Sequence, residues 1–367
     1  MASLYLHFPY CRHLCNYCDF YKHRFDSKSS IHNFNQFFEK SYHYTKKVWD
    51  KYNQELCSPL DTLYMGGGTP SLWGSAGARF LSGFFRHMGW ELSSHAEVTL
   101  EVDPDAWSIA GIEAFEEFGV NRFSVGVQAA NSELLKVMDR THSLADVEKT
   151  LNYLAGKNFS VDIMLGLPKS EDRDLKAELD WILGFGPKHL SVYILKARKN
   201  YPHLKAIISD ESIEKEYLFV SDYLKSHGLH HYEVSNFALP GFESKHNRKY
   251  WAAETVHAIG PSATGFIRVS RDQAVRYQQP PTIKDPLVEV LGSKELELEE
   301  LYLALRTSNG VSLNGRKYEK WLNAGVISTW KDLGYIASLS DKTLILAPHG
   351  WLVMDSIMDD LFKFDLA

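Results

Sequence analysis

Near its N-terminus the chain reads Tyr5-Leu6-His7-Phe8-Pro9-Tyr10-Cys11-Arg12-His13-Leu14-Cys15-Asn16-Tyr17-Cys18-Asp19-Phe20. Three of the four cysteines of the chain lie in this stretch, at Cys11, Cys15 and Cys18. An apolar run that is typical of a β-strand precedes them. Three thiolates on one loop can bind three irons of a four-iron cluster, which leaves the fourth iron open to a small molecule. The spacing therefore indicates a metal centre with exchangeable ligation.

Zinc binding and disulfide bonding are the alternatives for these cysteines. A zinc site needs four ligands, usually in two short pairs. His7 and His13 are near in sequence, but no second cysteine pair follows, and Cys57 stands alone. We expect no disulfide framework, because the N-terminus lacks the pattern of a secretory signal. The triplet by itself favours an iron–sulfur cluster, with zinc as the alternative.

The composition is that of a globular protein. The chain has 367 residues, of which 44% are hydrophobic and 23% charged, enough for one large core and a smaller second one. A net charge of −6 argues against broad nucleic-acid binding, which needs basic surface. No apolar run approaches the ~20 residues of a membrane span, so we expect no integral membrane segment. Sparse cysteines favour a cytoplasmic location, and the 16 histidines prompt a search for metal or heme ligands.

Apolar runs alternate with amphipathic segments up to about residue 290, which predicts an α/β fold with a parallel sheet and crossover helices. Strands are predicted at 4–8, 62–65, 97–102, 122–127, 161–165 and 190–195. Helices are predicted at 34–52, 76–87, 109–118, 145–156 and 212–226. Because the candidate site residues lie at the C-terminal ends of strands, the pattern favours a partial (β/α)6 TIM-like barrel over a doubly wound sheet.

We predict two domains, at residues 1–290 and 291–367, with the proline-rich segment 278–286 as a surface crossing between them. The second domain is expected to begin with an acidic helix at 295–306. Further helices are predicted at 316–323, 329–333 and 350–362, and a hairpin at 335–339 and 342–347. Helices with such a hairpin resemble a winged-helix module. The acidic helix favours substrate capping or packing over DNA binding.

A glycine run and four polar residues follow the predicted strands. Met65-Gly66-Gly67-Gly68-Thr69-Pro70-Ser71 follows the second strand, and its glycines allow close approach of a ligand because they lack a β-carbon. By itself such a run also fits a simple turn. The polar residues at or after later strands are Glu101, Gln128, Arg140 and Asp162. Each of them could be an ordinary loop residue, but Asp162 lies within an apolar strand and must be paired, because burial of an unpaired charge is costly.

The cysteine stretch resembles the cluster loop of radical S-adenosylmethionine (SAM) enzymes, in the branch related to oxygen-independent coproporphyrinogen III oxidase (dehydrogenase). The resemblance implies that the three cysteines hold a [4Fe-4S] cluster whose open iron is chelated by SAM. In that superfamily, reductive cleavage of SAM yields a 5′-deoxyadenosyl radical, and the protein supplies orientation and exclusion of side reactions.

The same resemblance assigns SAM contacts to the residues that follow the strands. It implies that Gly67, Gly68 and Thr69 bind the methionine amino group. Contacts to the ribose, carboxylate and adenine are implied for Glu101, Gln128, Arg140 and Asp162. Aromatic positions that flank the cofactor near the cluster are matched by Tyr5 and Phe20.

Two functions are open within this branch. Dehydrogenase members carry a fourth cysteine two residues after the third and a long N-terminal extension, whereas here Phe20 occupies that position and ten residues precede Cys11. This pattern resembles the HemW family of heme chaperones. So does His246-Asn247-Arg248-Lys249-Tyr250-Trp251, which matches that family's His-Asn-x-x-Tyr-Trp signature. Taken alone, the hexapeptide favours a histidine that caps a loop beside core aromatic residues.

The HemW resemblance implies a chaperone that binds heme as cargo and delivers it to apo-hemoprotein acceptors. His246 is then the heme ligand, with Tyr250 and Trp251 as flat apolar surface for the macrocycle. Peripheral membrane contact would suit such a carrier. The alternative is a radical SAM oxidoreductase acting on coproporphyrinogen III or another substrate, so that enzymatic activity stays open. Lys196, Arg198 and Lys199 depart from an acidic stretch of the family and leave the substrate and a second SAM site undetermined.

Overall fold

The structure, a computed structural model, describes residues 2–26, 28–313, 325–340 and 342–365. A nine-stranded sheet forms its centre. In sheet order its strands are β11 (His257–Ile259), β1 (Ala2–Phe8), β4 (Leu60–Gly67), β5 (Leu92–Val102), β6 (Arg122–Gln128), β7 (Phe159–Leu165), β8 (His189–Ile194), β10 (Asn236–Ala238) and β9 (His230–Glu233). The smaller sheets contain β2 (Tyr10–Cys11) with β3 (His23–Arg24), β12 (Thr264–Arg268) with β13 (Ala274–Gln278) and β14 (Leu287–Leu291), and β15 (Val311–Ser312) with β17 (Thr343–Leu346) and β16 (Ile336–Leu339).

Twelve helices lie in the part of the chain that the structure describes. They are α1 (Lys28–Lys51), α2 (Gly74–Met88), α3 (Ile109–Phe118), α4 (Ser132–Val137), α5 (Leu144–Leu154), α6 (Leu175–Leu183), α7 (Asp210–Ser226), α8 (Lys245–Trp251), α9 (Ser293–Leu305), α10 (Gly325–Asp332), α11 (Pro348–Leu352) and α12 (Met354–Asp365). Local signals fix several helix ends. Ser143 and Asp146 form a capping box at the start of α5, and Gly89 ends α2 in the left-handed conformation, as capping and C-terminal glycine rules lead one to expect.

The six predicted strands lie side by side in chain order and run parallel to one another. Their apolar residues are almost fully buried, as in β6, where Val125 and Val127 have no exposed surface. Continuous apolar runs are typical of parallel strands, because helices cover one face and barrel contents the other. The predicted α/β fold with a partial barrel is confirmed.

Other elements differ from the sequence prediction. Helix α6 and the short strands β9, β10 and β11 at the two sheet edges are absent from the sequence prediction. The strands have only three or four residues each, which carry little periodic signal. The segment 278–286 is not a crossing between domains; it connects β13 to β14, which pair antiparallel. Residue 290 lies within β14, and the division of the chain into two domains stays a prediction.

The C-terminal part has an apolar cluster of its own, with Leu305, Trp330, Leu344, Trp351 and Ile357 among its buried members. The predicted hairpin is confirmed as the antiparallel pair of β16 and β17. The helix predicted at 316–323 lies outside the described residues, and the winged-helix resemblance stays a prediction. In the part of the chain that the structure describes, we find no helix with the length and apolarity needed to cross a bilayer.

Candidate functional site

The cysteine loop begins where β1 ends and is closed at its base by the pairing of β2 with β3. Cys11, Cys15 and Cys18 are partly buried and line one cavity of about 430 Å³. The cavity lies at the C-terminal ends of the parallel strands, where active sites of (β/α) barrels are found. The fourth cysteine, Cys57, is exposed and is not among the residues that line this cavity.

The three thiols form a donor set that fits an iron–sulfur cluster. Burial raises the pKa of Cys11 to about 11, and the neighbouring Cys18, Asp103 and Cys15 add to this, while a hydrogen bond with Thr69 opposes it. Thiolates this close together repel one another unless a cationic centre binds them. Within the described ranges, no three His, Cys, Asp or Glu side chains are arranged to hold a single metal ion. The choice between a four-iron cluster and zinc at these thiols stays a prediction.

The glycine run packs directly against the cysteine loop. A β-carbon on Gly68 would lie 2.6 Å from the carbonyl oxygen of Tyr10, and one on Gly67 would lie 2.6 Å from the His7 ring. Gly67 also has a φ of +109°, a conformation that favours glycine. The backbone N–H of Thr69 donates to the Tyr10 carbonyl at 2.8 Å. The run therefore couples the end of β4 to the loop that carries the cysteines.

Glu101 occupies the floor of the cavity at the end of β5. It accepts hydrogen bonds from the Tyr64 hydroxyl at 2.9 Å and from the Gly67 backbone N–H at 3.0 Å. Burial, followed by the nearby carboxylate of Asp162, raises the pKa of Glu101 to about 7. A bound cation would favour the charged form of the Glu101 carboxyl group.

Asp162 is stabilised by serine hydroxyl groups and by the positive charge of Arg122. The Ser124 hydroxyl donates to the Asp162 carboxylate and lies 3.1 Å from each of its two oxygens. The Ser160 hydroxyl lies 3.5 Å from Asp162 Oδ1. Burial raises the pKa of Asp162. The carboxylate, predicted to be paired, is thus hydrogen-bonded by a serine on the neighbouring strand β6 and lies near a serine on its own strand.

Arg140 already has a carboxylate partner in the protein. Its Nη2 donates to Asp103 Oδ2 at 2.5 Å, and Nη1 lies 3.5 Å from the Tyr17 hydroxyl and 3.8 Å from Cys15 Sγ. Burial alone would raise the pKa of Asp103, but Arg140 and then His142 outweigh it and lower this pKa to about 2. The guanidinium is therefore held between Asp103, which directly follows β5, and the cysteine loop.

The structure brings most of the predicted SAM residues together. The cavity is lined by Phe20, Gly67, Gly68, Thr69, Glu101, Gln128, Arg140 and Asp162. Tyr5 is not among the lining residues; its hydroxyl lies 3.1 Å from His7 Nδ1, and its ring is tilted against Tyr64. Gln128 has a φ of +70°, a strained backbone conformation of the kind that clusters at functional sites.

Sequence reasoning missed further lining residues, of which Tyr64 and Asp103 are the most prominent. Asp103 could have been predicted from the alternation of side chains along a strand. It follows Glu101 by two residues, directly after β5, and is therefore expected on the same side. Tyr64 could not have been predicted in this way, because a tyrosine within an apolar run is expected to be a core residue.

Comparisons with known proteins agree with this geometry. The profile of the Radical SAM superfamily matches residues 5–182. The heme chaperone HemW of Lactococcus lactis is 32% identical over 330 residues, which cover 84% of this chain and 82% of that protein. HemW of Bacillus subtilis is 30% identical, with 97% and 98% covered. The chain belongs to the HemW family of radical SAM proteins. The structure is also similar to that of HemN, the coproporphyrinogen III oxidase of Escherichia coli. The two match with a TM-score of 0.76 at 17% identity, over 98% of this chain and 89% of that one. This match shows that the two proteins share a fold.

The HemW signature histidine lies inside the barrel. His246 is 1% exposed, its Nδ1 is 2.8 Å from Thr62 Oγ1, and its ring stacks on Tyr64 at 5.3 Å between centroids. Its backbone N–H donates to Glu97 at 2.9 Å. Burial, with a further contribution from Arg122, lowers the pKa of His246 to about 3, so the ring is neutral.

The other two residues that the sequence prediction assigns to heme lie in different surroundings. The Tyr250 ring packs on His246 with 5.4 Å between centroids. Trp251 instead lines a second cavity of about 680 Å³, where the Arg306 guanidinium lies 5.0 Å from its ring centroid. Neither His246 nor Tyr250 is among the residues that line either cavity. The assignment of the three residues to heme stays a prediction, and this placement matches the alternative of a histidine beside core aromatic residues.

Proposed function

We propose that this HemW-family protein binds a [4Fe-4S] cluster, SAM and heme, and delivers the heme to apo-hemoproteins. The observation that carries the proposal is the kinship with proteins named heme chaperone HemW over nearly the whole chain. A cytoplasmic location, contact with membranes only at their surface and no nucleic-acid partner belong to the same proposal.

The cavity supports the cofactor part of the proposal. Cys11, Cys15 and Cys18 would hold the cluster, which when bound supplies an open iron and a transferable electron. The carboxylates of Glu101 and Asp162 would oppose the positive sulfonium and ammonium groups of SAM. Each of these side chains is positioned from a different strand end or from the loop after β1.

The cluster assignment is tested by replacing single cysteines. We expect Cys15→Ser to lose the four-iron absorption and EPR signals after anaerobic reconstitution. Cys57→Ser is the matched control, because that thiol is exposed and outside the cavity, and it should reconstitute like the parent protein. A colourless protein that retains stoichiometric zinc would overturn the assignment.

The chaperone assignment is tested by heme titration of the reconstituted protein, with 5′-deoxyadenosine measured in the same sample. We expect stoichiometric heme binding and transfer to an apo-hemoprotein without sustained SAM cleavage. Rapid deoxyadenosine production with coproporphyrinogen III or another substrate would instead establish the oxidoreductase alternative.

A further inference from the structure

A series of polar side chains crosses the barrel interior from one cavity to the other. It begins at Asp162, which lines the cysteine-lined cavity. The Ser160 hydroxyl lies 3.5 Å from Asp162 Oδ1, the longest step, and 2.7 Å from His189 Nδ1. On the other side of the ring, His189 Nε2 lies 2.9 Å from the Tyr232 hydroxyl, and Tyr232 lines the second cavity. We refer to Ser160, His189 and Tyr232 as the interior chain.

The strand register aligns these side chains. Ser160 on β7 is the register partner of His189 on β8. Asp162 follows Ser160 by two residues on the same strand, so their side chains lie on the same face of the sheet. Ser160 and His189 have no exposed surface. Because solvent does not reach them, their polar atoms depend on partners inside the protein.

The His189 ring is neutral and has one donor and one acceptor. Burial, followed by the positive charge of Arg122, lowers the pKa of His189 well below its usual value. A neutral imidazole carries its hydrogen on only one of its two nitrogens. The ring therefore has two states. It donates to Ser160 when the hydrogen is on Nδ1, and it donates to Tyr232 when the hydrogen is on Nε2.

The charge of Asp162 selects between these two states. A charged carboxylate only accepts hydrogen bonds, so Ser160 then donates to Asp162 and accepts from His189 Nδ1. A neutral carboxyl group can donate to Ser160, which in turn donates to Nδ1, and the ring hydrogen is then on Nε2. In the charged state the Tyr232 hydroxyl donates to His189. In the neutral state it accepts from His189, and its own hydrogen can be donated into the second cavity.

A cationic ligand changes the protonation of Asp162. Burial raises the pKa of this carboxyl group, so it keeps its proton to a higher pH than an ordinary aspartate. A positive charge in the cysteine-lined cavity favours the charged form. Other charged or titratable side chains act on Asp162 or on the interior chain, from strands β4, β5, β6, β8 and β9; they are Tyr64, Glu97, Glu101, Arg122, Tyr193 and Glu233.

We propose that the interior chain transmits the protonation state of Asp162 to the second cavity. When SAM binds, the O–H bond of Asp162 breaks and its proton passes to Ser160, which gives its own proton to Nδ1. The Nε2 atom then gives its proton to Tyr232, and Tyr232 gives its own to solvent at the second cavity. One proton leaves the carboxyl group and one enters the solvent, with no change of oxidation state. The inference rests on the proposed function, because SAM supplies the positive charge.

The experiment is nitrogen-15 NMR of the reconstituted protein labelled at histidine, recorded without and with SAM. Ring nitrogens with and without a hydrogen have well-separated shifts, and His189→Gln identifies the His189 signals by their loss. We expect SAM to move the hydrogen of His189 from Nε2 to Nδ1. His257 is a buried ring outside the chain that contacts the Gln54 carbonyl at 2.9 Å, and it should keep its tautomer.

A substitution of Ser160 tests the path. Ser160→Ala removes the hydroxyl between Asp162 and the ring, so SAM should still bind but should no longer change the tautomer of His189. Ser221→Ala is the matched control, because Ser221 contacts the Nδ1 atom of a different histidine, His231, at 2.9 Å. This control should show the same response to SAM as the parent protein.

Tyr232→Phe is a second variant, which removes the acceptor of the Nε2 hydrogen with little change of shape. We expect its His189 ring to carry the hydrogen on Nδ1 even without SAM. A response to SAM like that of the parent in both Ser160→Ala and Tyr232→Phe would overturn the inference.

The failure of this inference can be told apart from the failure of the proposed function. Binding of SAM to the parent protein with no change of the His189 tautomer would overturn the transmission and leave the proposed function intact. Absence of SAM binding by the reconstituted parent protein would instead overturn the SAM part of the proposed function.

Discussion

Arg140 bridges Asp103 and Cys15, with Nη2 at 2.5 Å from the carboxylate oxygen and Nη1 at 3.8 Å from the sulfur. Charge and hydrogen bonds near the cysteine sulfurs set the reduction potential of an iron–sulfur cluster. We therefore expect Arg140→Gln to lower the potential, because a positive charge beside the sulfur is removed. Asp103→Asn should raise it, because the guanidinium then lacks its counter-charge.

The measurement for this pair is a potentiometric titration of the reconstituted cluster followed by EPR. The two variants act as controls for each other, since they remove opposite charges from one ion pair. Shifts of the same sign in both would contradict a direct electrostatic effect of Arg140 on the cluster.

The second prediction concerns the pH dependence of SAM binding. The pKa of Glu101 is raised to about 7, so this carboxyl group becomes charged as the pH rises through neutrality. Because SAM is cationic near its sulfonium, we expect its affinity to increase between pH 6 and 8, on the order of tenfold. Glu101→Gln should bind SAM weakly with little pH dependence. Calorimetric titration at several pH values measures this, and a parent affinity that falls with pH would contradict it.

The same shift has the opposite effect on the stability of the protein without SAM. Since the folded-state pKa of Glu101 lies above the unfolded value, its contribution is fully present below about pH 4.5 and is lost as the pH rises through about 7. SAM binding and apo stability should therefore respond to this residue in opposite directions over the same pH range.

The third prediction uses the buried His246. Its pKa is lowered to about 3, so between that value and the unfolded pKa of about 6.5 only the unfolded chain takes up the proton. The stability that this neutral ring contributes is present above pH 6.5 and is lost as the pH falls, by about 1 kcal/mol per unit. Urea unfolding at pH 7.5 and 5.5 should show a smaller pH effect for His246→Gln than for the parent. His43→Gln, at an exposed position of α1, should leave the pH effect unchanged.

The fourth prediction compares two glycines. Gly67→Ala should destabilise the fold by about 2 kcal/mol or more, since φ is +109° and the added carbon would lie 2.6 Å from the His7 ring. Gly83→Ala should stabilise it by about 0.5–1 kcal/mol, because that position is an exposed helix interior with open space around it. Denaturant midpoints give both values, and an equal effect of the two substitutions would contradict the packing argument.

Much of the barrel could be predicted from sequence because its signals are local. Apolar runs marked the six parallel strands, and the strand-end rule gathered Glu101, Gln128 and Asp162 at one edge. The short strands β9 to β11 carry no periodic signal. The prolines of segment 278–286 predict a domain crossing, whereas the structure has there the connection between two paired strands.

The site was harder to predict where side chains choose among several partners. Nothing in the sequence indicates that Arg140 is held by Asp103, because the two residues lie on different β-α units and meet only in the folded barrel. His246 illustrates the same limit. A signature histidine could equally face a cavity or the core, and only the packing of Tyr64 decides that it lies inside.

The column formed by Thr62, His246, Tyr64 and Glu101 fills the barrel interior beneath the cysteine-lined cavity. A ligand bound at Glu101 would therefore lie one hydrogen bond and one ring contact away from the signature histidine. Any ligand that shifts Tyr64 in the cavity would also shift the ring stacked on it, so His246 can report the occupancy of a cavity that it does not line.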